Sequence, residues 1–211
     1  MAEPGNLYVI SAPSGTGKTT LVKALIESVP GLTVSISYTT RKKRPAETHG
    51  INYYFIDQAE FERLVEHNDF LEHATVFGNS YGTSRRWVED TLKRGEDVIL
   101  EIDWQGGQQI HQLFPNSISI FILPPSVSCL YDRLLKRNQD NPEIIRQRIG
   151  DVRESTRHIN EYGYIVINDI FADALHDLQT IVHAGRLSLK RQISKFSHLL
   201  TELVNAKVDE L

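Results

Sequence analysis

The chain of 211 residues predicts an α/β fold: a parallel sheet with helices on both faces, built around a phosphate loop (P-loop). Three observations predict it. The short apolar run Leu7-Tyr8-Val9-Ile10 leads through a Ser/Pro/Gly-rich turn into a segment with helical apolar spacing. Further short apolar runs, Asp97–Ile102, Ile118–Leu123 and Tyr164–Ile167, alternate with helical patterns, as strands buried on both faces of a parallel sheet do. The first turn also carries glycines and a Lys-Thr pair at the spacing of a loop that wraps phosphate.

The length suits one ordinary domain, or one core with insertions, long enough to bury a hydrophobic core without disulfides or metals. In keeping with that, the single cysteine, Cys129, cannot form an internal disulfide, and its helix spacing predicts a core position. The eight histidines show no H-x-H or H-E-x-x-H spacing, so no dedicated metal site is expected. With 23 basic against 27 acidic residues the formal charge is −4, which argues against nucleic-acid binding through overall charge. No run approaches 18 apolar residues and no basic region precedes an apolar run at the N-terminus. A cytoplasmic protein with no targeting segment, no membrane role and no nucleic-acid partner is expected.

In chain order, Leu7–Ile10 reads as a buried strand. From Lys18 to Val29, Leu21, Val22, Leu25, Ile26 and Val29 recur at helical spacing until Pro30-Gly31 stops the helix. Between 37 and 92 the text becomes rich in Tyr, Thr, His, Gly and charge, with a short helix near Ala59–His67; it reads as an insertion carrying a binding surface. Residues 126–161 are helical and basic: from Arg133 to Arg157 seven basic residues face four acidic ones in a chain that is negative overall. Beyond 188, Leu189, Ile193, Phe196, Leu199, Leu200, Leu203 and Val204 form an amphipathic helical pattern, with its own core or a second subunit as alternative seats. A homo-oligomer through this helix is one of those alternatives. Trp87 and Trp104 read as packing residues.

The strongest signal is Ala12-Pro13-Ser14-Gly15-Thr16-Gly17-Lys18-Thr19, between a strand and a helix. The general pattern is G-x-x-x-x-G-K-[ST], and Ala12 stands at its first glycine. Gly15 and Gly17 let backbone N–H groups turn towards phosphate oxygens, and the helix N-terminus adds partial positive charge. Lys18 can reach β and γ oxygens, and the Thr19 hydroxyl can ligate Mg²⁺. A nucleoside triphosphate site follows. No N-K-x-D motif of the kind that reads guanine in GTPases is present.

Several blocks in order give the loop a context. Ser11–Thr19, Ser37–Glu47 (SYTTRKKRPAE), Gly50–Tyr53, Phe70–Ala74 (FLEHA), Gly78–Thr83 (GNSYGT), Ile102–Gly106, Phe121–Pro125, Arg133–Arg137 and Val166–Asp169 together resemble guanylate kinase, in the P-loop nucleoside monophosphate kinase family, over about 5–187. The resemblance implies a P-loop core (1–36, 93–125 and 162–187), a GMP-binding insertion (37–92), a helical lid (126–161) and a tail (188–211). It implies transfer of the γ-phosphate of ATP, with Mg²⁺, to GMP and dGMP. Arg41 and Arg44, with Tyr53 and Tyr81, resemble the family's clamp on the GMP phosphate, chemistry suited to guanidinium forks and phenols. Glu72 matches the carboxylate that accepts from guanine N1–H and N2–H₂, with Ser37 and Thr83 as its hydroxyl neighbours.

Two positions depart from the pattern. Glu101-Ile102-Asp103 stands where the family has Asp-x-Asp, so Glu101 brings a longer arm to the base, while Asp103 keeps the second acid. In the lid, Arg133, Arg137 and Arg148 match arginines that reach the ATP phosphates, and Asn138 replaces the glycine after Arg137. Asn168 stands at the family's adenine contact and reads equally as a cap before Asp169. Lys18, Arg41, Arg137 and Arg148 are the expected catalytic residues. Two other readings are a catalytically silent module of the same fold and a kinase for another phosphorylated acceptor; the lysine and arginines of the loop and lid speak against the first.

Overall fold

The computed structural model describes residues 3–136 and 142–206. Its core is a sheet of five parallel strands. They are β1 (Leu7–Ser11), β2 (Leu32–Val34), β7 (Asp97–Glu101), β8 (Ile118–Leu123) and β9 (Tyr164–Ile167), in the order β2-β7-β1-β8-β9. Side chains alternate across β1 and build two separate cores. Tyr8 and Ile10 pack with Leu21, Val22 and Leu25 of α1 (Lys18–Ser28) and with Ala174, Leu178 and Val182 of α7 (Phe171–Arg186). Leu7 and Val9 pack on the other face with Val88 and Leu92 of α3 (Arg85–Lys93) and Ile110 of α4 (Trp104–Leu113).

The expected strands form where the apolar runs place them. The last differs in environment: β9 is an edge strand that leaves Tyr164, Ile165 and Ile167 exposed, because only β8 pairs with it.

The segment after β2 builds a second, four-stranded sheet. It contains β3 (Tyr38–Thr39), β4 (Tyr54–Phe55), β5 (Phe70–Val76) and β6 (Asn79–Ser84), in the order β4-β3-β6-β5, with α2 (Gln58–Glu66) packed on β5 through Phe61 and Phe70. Asp57 caps α2 by accepting from the Glu60 N–H at 2.8 Å. Although α3 falls within the expected insertion, its apolar face packs against the core sheet. Between β8 and β9 lie α5 (Val127–Lys136) and α6 (Pro142–Arg157), which meet through Leu130 and Leu134 against Ile149 and Val152. A 3₁₀ turn at Ile159–Glu161 leads from α6 into β9. Cys129 is half-buried on α5 rather than in the core.

Where the spacing predicts one C-terminal amphipathic helix, the chain forms two, α8 (Leu189–Lys195) and α9 (Ser197–Asn205), interrupted at Phe196. The core holds α8 by charge: the buried Asp97 carboxylate accepts from Arg191 at 2.6 Å, from Arg186 at 2.7 Å and from the Asn6 N–H at 2.7 Å. Leu203 and Val204 on α9 lie exposed. Among the described residues, no helix is long and apolar enough to cross a membrane.

Candidate active site

The phosphate loop is shaped by two left-handed glycines, Gly15 at φ 90° and Gly17 at φ 97°, a conformation other residues adopt only under strain. Inside the loop, Thr16 donates its hydroxyl to the Pro13 carbonyl at 2.7 Å. From outside, Asn168 donates its amide to the Thr16 carbonyl at 2.7 Å, and Arg133 bonds both that carbonyl (3.2 Å) and the Asn168 carbonyl (2.9 Å). Asn168 therefore braces the loop, and it does not cap α7, which begins from Ile170. Arg148 of α6 reaches the Ser14 hydroxyl at 3.0 Å. Arg137 lies outside the described residues. Ala12 is half-buried at the end of β1, with no demand for a glycine there.

Lys18 donates to the Ile102 carbonyl at 2.9 Å. Burial pushes its ammonium pKa down, against the pull of Glu101, Asp103 and Glu72. Thr19 donates its hydroxyl to Glu101. Asp103 caps α4 through the Gly106 N–H at 3.1 Å and accepts from Gln105 at 3.0 Å.

Glu72 and Thr83 face each other as register partners on β5 and β6, and the Thr83 hydroxyl donates to the carboxylate at 2.6 Å. Both are buried, and burial pushes the Glu72 pKa up to about 7, with Thr83 and Lys18 opposing and Asp103 adding to the rise. Gly106 of α4 lies directly against this carboxylate, leaving no room for a Cβ. Ser37 is half-buried just before β3, its carbonyl accepting from the Tyr54 N–H at 2.9 Å.

A second group gathers around Arg41. Its guanidinium makes a two-pronged bond to Glu47 (2.7 and 3.0 Å) and lies 5.3 Å from the Tyr53 ring centre, and the Tyr53 ring meets Tyr81 edge-on at 6.0 Å. Burial works against the Arg41 charge, but the Glu47 carboxylate, with a smaller pull from Tyr81, outweighs it and holds its pKa above the ordinary value. Burial likewise raises Tyr53 to about 12, helped by Glu101. Arg44 offers its backbone N–H to Glu47 at 2.8 Å, while its guanidinium stands 4.0 Å away. Glu47 and Gly106 are site residues to which the sequence assigns no role. An acid three residues beyond Arg44 is the available signal for Glu47; Gly106 has none short of the fold.

The guanylate kinase family model matches residues 4–185. The chain belongs to the guanylate kinase family. It is 50% identical to the guanylate kinase of Saccharophagus degradans across 97% of this chain and 100% of that protein, and 52% identical to that of Pseudomonas fluorescens across 95% and 97%. The crystal structure of guanylate kinase from Anaplasma phagocytophilum superposes with a TM-score of 0.77 at 31% identity, covering 90% of each chain. Membership makes this chain a nucleoside monophosphate kinase.

Proposed function

We propose that this chain binds ATP on the Ala12–Thr19 loop, holds GMP or dGMP in the insertion, and passes the γ-phosphate between them. The observation that carries the reading is that both sites meet at the start of α4. Lys18 of α1 donates to the Ile102 carbonyl at 2.9 Å, and Gly106 on the first turn of α4 lies against the Glu72 carboxylate of the second sheet. This supports adjoining donor and acceptor sites.

In this reading guanine places N1–H and N2–H₂ against Glu72, and Arg41, Arg44, Tyr53 and Tyr81 hold the acceptor phosphate. An oxygen of that phosphate attacks the γ-phosphorus in line, the bond to the bridging oxygen breaks, and ADP leaves with the electron pair. Proximity and charge neutralisation supply the rate, with Lys18, Arg133 and Arg148 facing the ATP oxygens and Arg137 assigned there by the resemblance. The oxygen donors Thr19 and Glu101, already in contact, fit the hard ligand set Mg²⁺ prefers, with Asp103 near Lys18. Bound with ATP, Mg²⁺ supplies charge neutralisation on the phosphate oxygens. Asn168 is assigned a double duty, bracing Thr16 and bordering adenine.

A coupled assay of the purified protein with ATP against GMP, dGMP, AMP, CMP, UMP and ribose phosphates tests this. Turnover is expected with the two guanine nucleotides alone. Equal turnover of AMP would assign the acceptor elsewhere, and no turnover with any would favour the silent module.

A further inference from the structure

Helix α4 has two working faces. On one, Gly106 admits the Glu72 carboxylate, and Gln109 exchanges bonds with the His73 backbone at 2.8 and 3.1 Å. On the other, Trp104 stacks flat on His158, ring centres 3.8 Å apart and planes 5° from parallel. Gln108, one turn along the same face, bonds Glu161 at 3.1 Å, and Glu161 bonds His158 at 2.7 Å. His158 directly follows α6, the helix that carries Arg148 to Ser14.

We infer that the Trp104–His158 stack is the seat that sets the angle of α6, making His158 a positioning residue for the arginine delivered to the phosphate loop. From Arg148 to His158 the helix is a lever of about 15 Å. A tilt of roughly 10° at the seat displaces the guanidinium by about 2–3 Å, and a misplacement near 1 Å can cost about a hundredfold in rate. The seat therefore needs a contact that fixes orientation. Two flat rings in parallel contact do so, whereas a single hydrogen bond leaves the helix free to swing about it. The acceptor carboxylate and the lid seat thus share α4, whose N-cap is Asp103.

The inference rests on the kinase reading, and one arm of the experiment avoids activity altogether. His158→Phe keeps a ring and loses the Glu161 bond; His158→Gln keeps a polar partner and loses the ring. With GMP and ATP, His158→Gln is expected to lower kcat by about tenfold or more with the KM for GMP within about twofold, while His158→Phe and Trp104→Phe stay within about threefold of the parent. In a Trp87→Phe background Trp104 is the sole tryptophan. Its acrylamide quenching should rise in His158→Gln and remain at the parental level in His158→Phe. Melting temperatures separate a folding failure from misplacement. Parental turnover by His158→Gln overturns the inference, as does equal impairment of the Phe and Gln variants. A parent protein inactive on GMP would instead overturn the kinase reading, leaving the quenching comparison to judge the stack.

Discussion

Thr83 donates its hydroxyl to Glu72 at 2.6 Å across the ladder in which the two residues are register partners, so the β5–β6 pairing itself aims the carboxylate. Burial raises that carboxyl to about 7, which makes its charge sensitive to pH near neutrality. Ionised, it accepts both guanine donors; protonated, it offers one acceptor fewer. The KM for GMP should rise by roughly tenfold per pH unit below about 7, with the KM for ATP nearly flat. Steady-state kinetics from pH 5 to 8 (about two units below the pKa to one above) check this. A GMP profile that tracks the ATP profile would remove Glu72 from base recognition.

The same shift has a stability consequence. A carboxyl whose folded pKa is raised stabilises the fold most below its unfolded pKa, and that contribution is lost as pH rises through about 7. Glu72→Gln removes the titration, so it should melt above the parent at pH 8, by an amount on the order of 3 kcal/mol at most, and lose that advantage near pH 5. Its kcat/KM for GMP should nonetheless fall by roughly a hundredfold or more, since an amide must turn an N–H towards a guanine donor. Calorimetry at two pH values and the GMP assay test both halves.

Gly106→Ala adds one methyl directly against the Glu72 carboxylate. Helix propensity favours alanine by about 1 kcal/mol, so a loss of function here cannot come from a weakened helix. The KM for GMP is expected to rise by about tenfold or more while ATP binding is unchanged. Isothermal titration with each nucleotide separates the two, and equal weakening of both would count against the acceptor pocket.

Lys18→Met should abolish transfer and spare the fold. Burial lowers the lysine pKa, so at neutral pH the charged form sits in an environment that disfavours it; removing the charge relieves that cost and offsets the lost bond to the Ile102 carbonyl. The melting temperature at pH 7 is expected to stay close to the parent's. Retained turnover would require a different phosphate anchor.

Asp97 is buried under two arginines and the Asn6 N–H. Asp97→Ala leaves those cations without their carboxylate and is expected to cost about 3–5 kcal/mol, with Arg191→Ala costing less because Arg186 remains. Removing 188–211 takes Arg191 away with α8; the melting temperature should drop while GMP turnover at 25 °C (roughly the usual assay temperature) persists. An unchanged melting curve in the truncated chain would mean that α8 contributes nothing to the core.

What could be read from the sequence is what short range decides. Leu7–Ile10 and Ile118–Leu123 are legible as strands because a few apolar residues between turn signals have no other stable use. The phosphate loop is legible because its work is done by backbone groups within eight consecutive residues, Ala12 to Thr19. Arg41 and Tyr53 are singled out by the resemblance, in residue types that suit a dianion; the basic run alone suits a solvated turn equally well. The C-terminal pattern predicts a single helix because apolar spacing continues through Phe196, whereas the backbone there leaves helical geometry at ψ 24° and divides it into α8 and α9.

Tertiary structure alone decided the rest. Asn168 and Thr16 are 152 positions apart, and their bond makes the adenine candidate of the resemblance a brace for the loop as well. Arg191 is joined to Asp97 from 94 positions away, seating α8 on the core. The resemblance singles out Glu72 by type, but its environment is set only when β6 brings Thr83 to it, α4 brings Gly106, and burial lifts its pKa towards neutrality. Residue type sets what a group can do at close range, but its solvent, its partner and hence its protonation come from segments that only packing brings together.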